Sequence, residues 1–529
     1  MCHGEWRADY LAFRVGRQGY SEQVTSSLRS PWPALWALVL GFFMILVDTT
    51  IVSIANPTIQ ADLGATTTQV IWVTSAYLLA YAVPLLITGR LGDRFGPRRV
   101  YLVGLTIFTV ASFACGLAEW LPGSPIGNLI AARAVQGLGA ALMTPQTMAV
   151  ITRTFPAHRR GPAMALWGAV AGVATLVGPL LGGVLVDSLG WEWIFIVNVP
   201  VGVIGFVLAW RLVPQLETHS HSFDWWGVLL SAVGMFLVVF AIQEGQTYAW
   251  APWIWIMIAV GVVVLAVFLW WQRRNTQEPL VPLSLFRDRN FAVSATAIST
   301  VGFATTAMFI PVIYFYQVAM GMSPTQSALM SVPTAIASIV LAPVAGKLTD
   351  RVHPRLLVVP AMLVNAIAMV SYLWLMTPDT SIAVLLIPPL CIGVASSFMW
   401  GPLSSTATRG LPQSAAGAGA GVYNTTRQVG AVLGSAAIAT LMVARINAEM
   451  SQLAGAQDIT VTADNPAGAL AAGSVPDAVL ETFSTAMAQT LLLPALVIAV
   501  GAIVACFFVM PPQIVEAAAR KPRRQRSSA

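Results

Sequence analysis

The sequence predicts an all-α integral membrane protein with about fourteen transmembrane helices. Three observations predict it: an apolar composition, fourteen apolar stretches of spanning length, and a one-sided distribution of Lys and Arg. Of 529 residues, 57% are hydrophobic and 9% charged, against about 25% charged in an ordinary soluble domain. A water-facing surface needs far more charge than this.

A span takes about 20 mostly apolar residues. Such stretches occur at 34–55, 69–88, 100–118, 126–150, 162–186, 192–211, 224–243, 251–271, 291–318, 325–346, 355–376, 381–402, 415–443 and 487–510. An even number of spans places both termini on the same side. With the N-terminus in the cytoplasm, 25 of the 28 Lys and Arg fall in the N-tail, the inner loops or the C-tail. Arg445 alone lies outside, and Arg133 and Arg427 fall within spans. This is the bias that sets membrane orientation. The net charge of +6 is therefore read as cytoplasmic loops facing anionic headgroups, with membrane lipids rather than nucleic acid as the partner.

Two inner loops read alike. Gly89-Arg90-Leu91-Gly92-Asp93-Arg94 follows the second span, and Gly346-Lys347-Leu348-Thr349-Asp350-Arg351 follows the tenth. Gly178 and Gly182 in the fifth span are echoed by Gly430 and Gly434 in the thirteenth. The expected organisation has a cytoplasmic N-tail at 1–33, a six-helix half at 34–212 and an inserted helix pair with linkers at 213–290. A second six-helix half follows at 291–510, carrying an external loop at 444–486, and a basic cytoplasmic C-tail ends the chain at 511–529.

Four patterns then carry a resemblance over roughly residues 34–510. They are Asp48-Thr49-Thr50-Ile51-Val52, the loop Gly89 to Arg99, Arg133-Ala134-Val135-Gln136-Gly137, and Gly178-Pro179-Leu180-Leu181-Gly182-Gly183. In this order they resemble the major facilitator superfamily, in particular its fourteen-helix drug:proton antiporter branch. The resemblance implies a major facilitator fold of two six-helix halves plus two inserted central helices, both termini cytoplasmic, in a bacterial cytoplasmic membrane. It implies proton-coupled efflux of drugs or other lipophilic or cationic small molecules, a multidrug-efflux and antibiotic-resistance activity. Asn56 before Pro57 and Glu192 between two tryptophans depart from the branch pattern and bear on substrate class.

Asp48 is an acid set well inside a span, where an ionisable group costs on the order of 2.5–3.5 kcal/mol and is functional by default. It lies about 14 residues into the first span, or ~21 Å from the inner boundary. Arg133 lies about 7 residues into the inward-running fourth span, or ~10 Å from the outer face. In a ~30 Å core the two opposite charges share a depth. Burial raises a carboxyl's proton affinity and a nearby Arg lowers it, so a change in their separation can load or release a proton. A permanent ion pair locking two helices is the alternative. The family resemblance links both residues to proton coupling.

In the loop, Gly89, Asp93, Arg94, Gly96, Arg98 and Arg99 form a tight basic turn, and the resemblance gives it a gating role; topology setting alone is the rival. Gly172, Gly178, Pro179, Gly182 and Gly183 match the antiporter motif, or equally a glycine-rich packing face, with Pro179 removing a backbone hydrogen bond. Gln136, Tyr77, Tyr81, Trp400, Asn424 and Arg427 are candidates for a substrate cavity, since aromatic faces suit flat, cationic or lipophilic compounds; for Arg427 a structural hydrogen-bond network is the alternative.

Absent patterns narrow the energy source. Gly346-Lys347 lacks the glycine that a phosphate-binding Walker loop needs, and neither HExxH nor paired CxxC occurs. No cofactor is therefore expected, an ion gradient is left as the energy source, and the family resemblance makes it a proton gradient. The four cysteines, Cys2, Cys115, Cys391 and Cys506, read as packing thiols. His219 and His221 read as a solvated turn. The partners expected are a small-molecule substrate, protons and lipid, with a monomer as the working state. A dedicated exporter of one lipid, siderophore or antibiotic is the runner-up; an enzyme would need a catalytic cluster that the chain lacks.

Overall fold

Hydrocarbon offers no hydrogen bonds, so a spanning chain must satisfy its backbone internally, and a helix does this within each segment. The computed structural model describes residues 30–155, 157–218, 224–275, 279–349, 351–411, 413–456 and 477–510. They form α1 (Trp32–Asp62), α2 (Thr67–Ala82 with Leu85–Phe95), α3 (Pro97–Gly116), α4 (Pro125–Thr154) and α5 (Ala157–Leu189). Next come α6 (Trp193–Ile196 with Asn198–Leu212), α7 (Trp225–Glu244), α8 (Pro252–Arg274) and α9 (Arg289–Tyr314, ending in a π-turn Phe315–Ala319). The remainder are α10 (Pro324–Leu329 with Val332–Thr349), α11 (Pro354–Leu375), α12 (Ile382–Leu385 with Ile387–Arg409), α13 (Gln413–Ala456) and α14 (Asp477–Thr490 with Leu492–Ala505).

Among the described residues twelve helices are long and apolar enough to cross a membrane, and thirteen if the two parts of α2, bent by 52°, count as one span. Within α5 the stretch Val177–Leu189 reads as a shorter apolar helix. Helix starts follow their chemistry: Thr66 with Gln69, and Ser323 with Gln326, close capping boxes. Asp224 and Asp288 accept from the backbone N–H three residues on. Such caps satisfy donors that the first turn leaves free. Gly96, at φ +92°, makes the turn between α2 and α3, a conformation that side-chain-bearing residues rarely adopt.

The glycine echo has a packing counterpart. A Cβ at Gly178 would lie 1.9 Å from Thr50 Oγ1, and one at Gly182 would lie 2.6 Å from Ile51 Cγ1, so α5 rides closely on α1. In the same way a Cβ at Gly430 would lie 2.0 Å from the Ser299 carbonyl oxygen, and one at Gly434 would lie 2.5 Å from that of Phe303. There α13 rides on α9. Small residues are what let backbones approach this closely in lipid. Outward, large apolar side chains such as Ile204, Trp210, Ile256, Val263, Ile367, Trp374, Leu496 and Ile503 remain exposed, which suits hydrocarbon.

Helix α13 is longer than its apolar stretch predicts. Met442, Ile446 and Met450 continue one buried stripe at helical spacing against Val479, Phe483 and Met487 of α14, and Gln489 donates to Glu449 at 2.7 Å. The expected external segment 444–486 is thus helical through Ala456 and from Asp477 onward; residues 457–476 lie outside the described residues. So do residues 1–29 of the N-tail, the C-tail from 511, His219, His221 and Asp350 of the second repeat loop.

Candidate ion-pair site and central interface

Where α1, α3, α4 and α6 converge, a polar cluster is sealed from its surroundings. Asp48 Oδ2 accepts from Arg133 Nη1 at 2.6 Å, and the two side chains are 0% and 1% exposed. Asp48 Oδ1 accepts from Gln136 Nε2 at 2.8 Å and from Asn198 Nδ2 at 3.0 Å. Arg133 is held on its other sides: Nε donates to the Val73 carbonyl at 3.1 Å, and Nη1 also donates to Gln136 Oε1 at 2.6 Å. The Tyr77 ring lies 4.1 Å and the Phe195 ring 5.6 Å from its guanidinium carbon. Ser112 Oγ donates to the Phe195 carbonyl at 2.9 Å beside the break in α6, and accepts from Asn198 and Gln136. Charge-assisted bonds of this kind are among the stronger ones a protein makes. A buried pair that is fully hydrogen-bonded offsets the desolvation of its charges; one deprived of a partner does not.

The structure thus brings Asp48 and Arg133 together, as their shared depth predicts. Gln136 and Tyr77, expected at a substrate cavity, form the shell of this pair. Asn198 and Ser112 were not foreseen; the only signal was a single amide and a single hydroxyl inside apolar runs, which at that level is weak.

The loop Gly89–Arg99 lies against the end of α4. Arg153 in the last turn of α4 pairs with Asp93 and donates to the Glu217 carbonyl. Arg98 donates to the Trp210 carbonyl at the end of α6, and Arg90 donates to the Pro279 carbonyl in the linker before α9. A Cβ at Gly92 would lie 1.9 Å from Gln146 Oε1, so the glycine permits that approach. Arg94 stacks over Phe95, and Arg99 is exposed. Gly172, Gly178, Pro179, Gly182 and Gly183 all lie on α5, where Gly183 meets the start of α10 at Pro324 and Thr325.

At the opposite end of the bundle, α1–α6 and α9–α14 touch. Tyr314 donates to Gln60 at 2.6 Å, Gln317 donates to the Ile54 carbonyl at 2.9 Å, and Asp187 accepts from Thr325 N at 2.8 Å and Ser323 Oγ at 3.0 Å. Ser75 and Ser435 share a hydrogen bond of 2.7 Å, and Trp72 donates to Glu244 of α7 at 2.6 Å. Toward the Gly89–Arg99 end, backbone at Gly346, Gly401 and Gly421 borders open space. Between these two levels Arg427 of α13 lies 6.0 Å over the Trp400 ring of α12. Tyr81 of α2 shares a hydrogen bond of 2.9 Å with Thr144, and Asn424 donates to the Ala420 carbonyl.

The sequence model of the Major Facilitator Superfamily matches residues 38–241 and 224–435. The chain belongs to the major facilitator superfamily. An uncharacterized MFS-type transporter of Mycobacterium tuberculosis is 54% identical over 485 residues, covering 92% of this chain and 82% of its own. The tetracenomycin C resistance and export protein of Streptomyces glaucescens is 34% identical over 81% of this chain and 79% of its own. The multidrug resistance protein Stp of Mycobacterium tuberculosis is 33% identical over 79% and 76%. Among solved structures, a bacterial homolog of the human lysosomal transporter Spinster superposes with a TM-score of 0.61 at 16% identity, covering 91% of this chain and 98% of that one. The D-xylose-proton symporter superposes with a TM-score of 0.58 at 14% identity, over 88% and 97%. This facilitator is a multi-pass protein of the bacterial plasma membrane.

Proposed function

We propose that this facilitator is a proton-coupled exporter of lipophilic small molecules, with Asp48 as the proton carrier and Arg133 as its displaced partner. The sealed Asp48–Arg133 pair, with each charge hydrogen-bonded, is the observation that carries this reading. Protonation of Asp48 abolishes the Coulombic part of the contact and leaves Arg133 held by Val73, Gln136 and the Tyr77 ring. The pair then loosens, and α1 and α4 can shift relative to each other. In this reading α1–α6 and α9–α14 are two rocking halves, α7 and α8 are an inserted pair, and α5 completes fourteen spans with both termini cytoplasmic. The matched glycine contacts of α5 on α1 and α13 on α9 support that division. The contacts at Gln60, Asp187 and Ser75 close the outer side, and the Gly89–Arg99 loop, which Arg153 already ties to α4 in this state, is the gating element of the inner side. The names of the relatives, multidrug resistance and antibiotic export, support outward movement. The tetracenomycin C exporter also favours a second reading, in which a single product is the substrate.

The test uses the purified chain in vesicles with an imposed pH gradient and a panel of acidic and cationic lipophilic dyes. Gradient-driven movement of at least one dye, abolished by Asp48→Asn in a variant that still folds and inserts, is the expected result. A folded wild type that moves none of them, or an Asp48→Asn variant that still accumulates dye uphill, overturns the reading.

A further inference from the structure

We infer that Arg427 is the recognition residue of a site for acidic aromatic compounds: flat or conjugated molecules carrying one ionised carboxylate, enolate or phenolate. This rests on the exporter reading above and supplies its substrate class.

The argument starts from charge. Between Gln413 and Ala448 the sequence of α13 contains no acid. Among the described residues the Arg427 side chain has no hydrogen bond or ion pair, and the Trp400 ring lies 6.0 Å from it. The other interior charges, Asp48 and Arg133, cancel each other at 2.6 Å. Among the described residues the interior between the two sets of helices therefore carries one uncompensated positive charge, and a guanidinium in that environment faces a polar cavity by default. A cationic guest adds like charge to it. An anion completes it.

A second observation points to the same missing acceptor. Tyr423, one turn before Arg427, is 6% exposed, and its hydroxyl has no partner. A buried hydroxyl without a partner is costly, and an oxyanion seated by Arg427 gives this donor an acceptor. The planar fork of a guanidinium matches a carboxylate with two parallel bonds.

The walls supply the rest of the chemistry. The half-buried Trp400 ring of α12 lies 6.0 Å from the Arg427 guanidinium, so a flat apolar body has an aromatic face to lie against, and the buried Tyr423 and Tyr81 are within electrostatic range of the same charge. Toward the Gly89–Arg99 loop, a Cβ at Gly401, next to Trp400, or at Gly421, before Arg427, meets nothing within 4 Å, so packing leaves space on that side. The opposite end is closed by the Ser75–Ser435 and Gln60–Tyr314 contacts.

The experiment pairs two planar dyes of opposite charge, fluorescein and ethidium. Equilibrium binding to the detergent-solubilised full chain is measured beside gradient-driven movement in phosphatidylcholine vesicles. Wild type, Arg427→Lys and Arg427→Gln are compared, with monodispersity and thermal melting as the folding control. Wild type is expected to bind fluorescein in preference to ethidium. Arg427→Gln is expected to weaken fluorescein binding by about 10- to 100-fold, the range for hydrogen bonds to a charged group. Arg427→Lys, which keeps the charge and loses the fork, falls between the two. Preference for ethidium, or unchanged fluorescein binding in a folded Arg427→Gln, overturns the inference. So does phosphatidylglycerol that occupies wild type through Arg427 and shuts fluorescein out, because the acid is then a lipid headgroup. Arg427-dependent binding without movement sinks the exporter reading and leaves this site standing; movement of dyes regardless of Arg427 does the reverse.

Discussion

Two arginines sit in the interior of this facilitator, and the surrounding chain treats them in opposite ways. Arg133 is 1% exposed, with Asp48, Gln136, the Val73 carbonyl and two aromatic rings around it. Arg427 is half-buried, with the Trp400 ring and no described acceptor. The first is a closed circuit that a proton can open. The second is an open one that a ligand can close. On the proposed reading the same residue type serves the driving ion in one set of helices and the cargo in the other, and the difference lies in what the neighbouring helices offer.

The largest test of this contrast is stability. Arg133→Ala leaves the Asp48 carboxylate buried without its cation, a change that costs about 3–5 kcal/mol. Arg427→Ala removes a charge that no described residue balances and is expected to change stability by no more than about 1 kcal/mol, in the range of substitutions that break no buried network. Thermal unfolding of both variants in the same detergent measures the gap, and equal losses break the comparison. A smaller effect sharpens it. Asn198→Leu strips one donor from Asp48 Oδ1 while leaving the ion pair in place, so the loss falls to about 1–3 kcal/mol. A loss as large as that of Arg133→Ala would show that the cluster stands or falls as a unit.

The two arginines also mark how far the sequence could be read. The depth match of Asp48 and Arg133 follows from helix rise and span boundaries alone, because a long apolar helix has few ways to sit in a bilayer. Their spacing of 2.6 Å does not follow from it, since rotation about each helix axis is set by packing. That is why Gln136 and Tyr77, read as cavity residues, turn out to lie against the pair. Asn198 was invisible for a related reason: one amide in an apolar run means nothing until α6 is placed against α1 and α3. The length of α13 was missed because polar Arg445 and Glu449 end the apolar stretch, while Ile446 and Met450 keep the buried stripe going on the other face. Periodicity carries that information; mean hydropathy erases it.

A third arrangement, outside the spans, gives the smallest and most pH-sensitive test. Among the described residues no cation pairs with the Asp224 carboxylate. Its Oδ1 accepts from Trp271 Nε1 at 2.7 Å and Gly227 N at 2.9 Å, and its Oδ2 accepts from Gln272 Nε2 at 2.7 Å. The N-cap of α7 is thereby tied to the last turn of α8, and Gln272 passes the link on by accepting from Val281 N at 3.0 Å. Burial pushes the carboxyl up, but the bonds from Trp271, Gln272 and Gly227 outweigh it and hold the group below the usual carboxylate range. A depressed folded value means the stabilisation is complete above the unfolded value of about 3.9 and is lost as pH falls through the lower folded value. Asp224→Ala removes the cap and costs about 1 kcal/mol at neutral pH. Asp224→Asn keeps an oxygen for the cap and for Trp271 but cannot titrate, so its melting temperature is lower than wild type at pH 7 and converges with it as the medium is made acid. If the wild-type and Asn curves stay parallel down to pH 3, the uncharged donors around Asp224 do not distinguish its ionised form, and helix capping alone explains the contact.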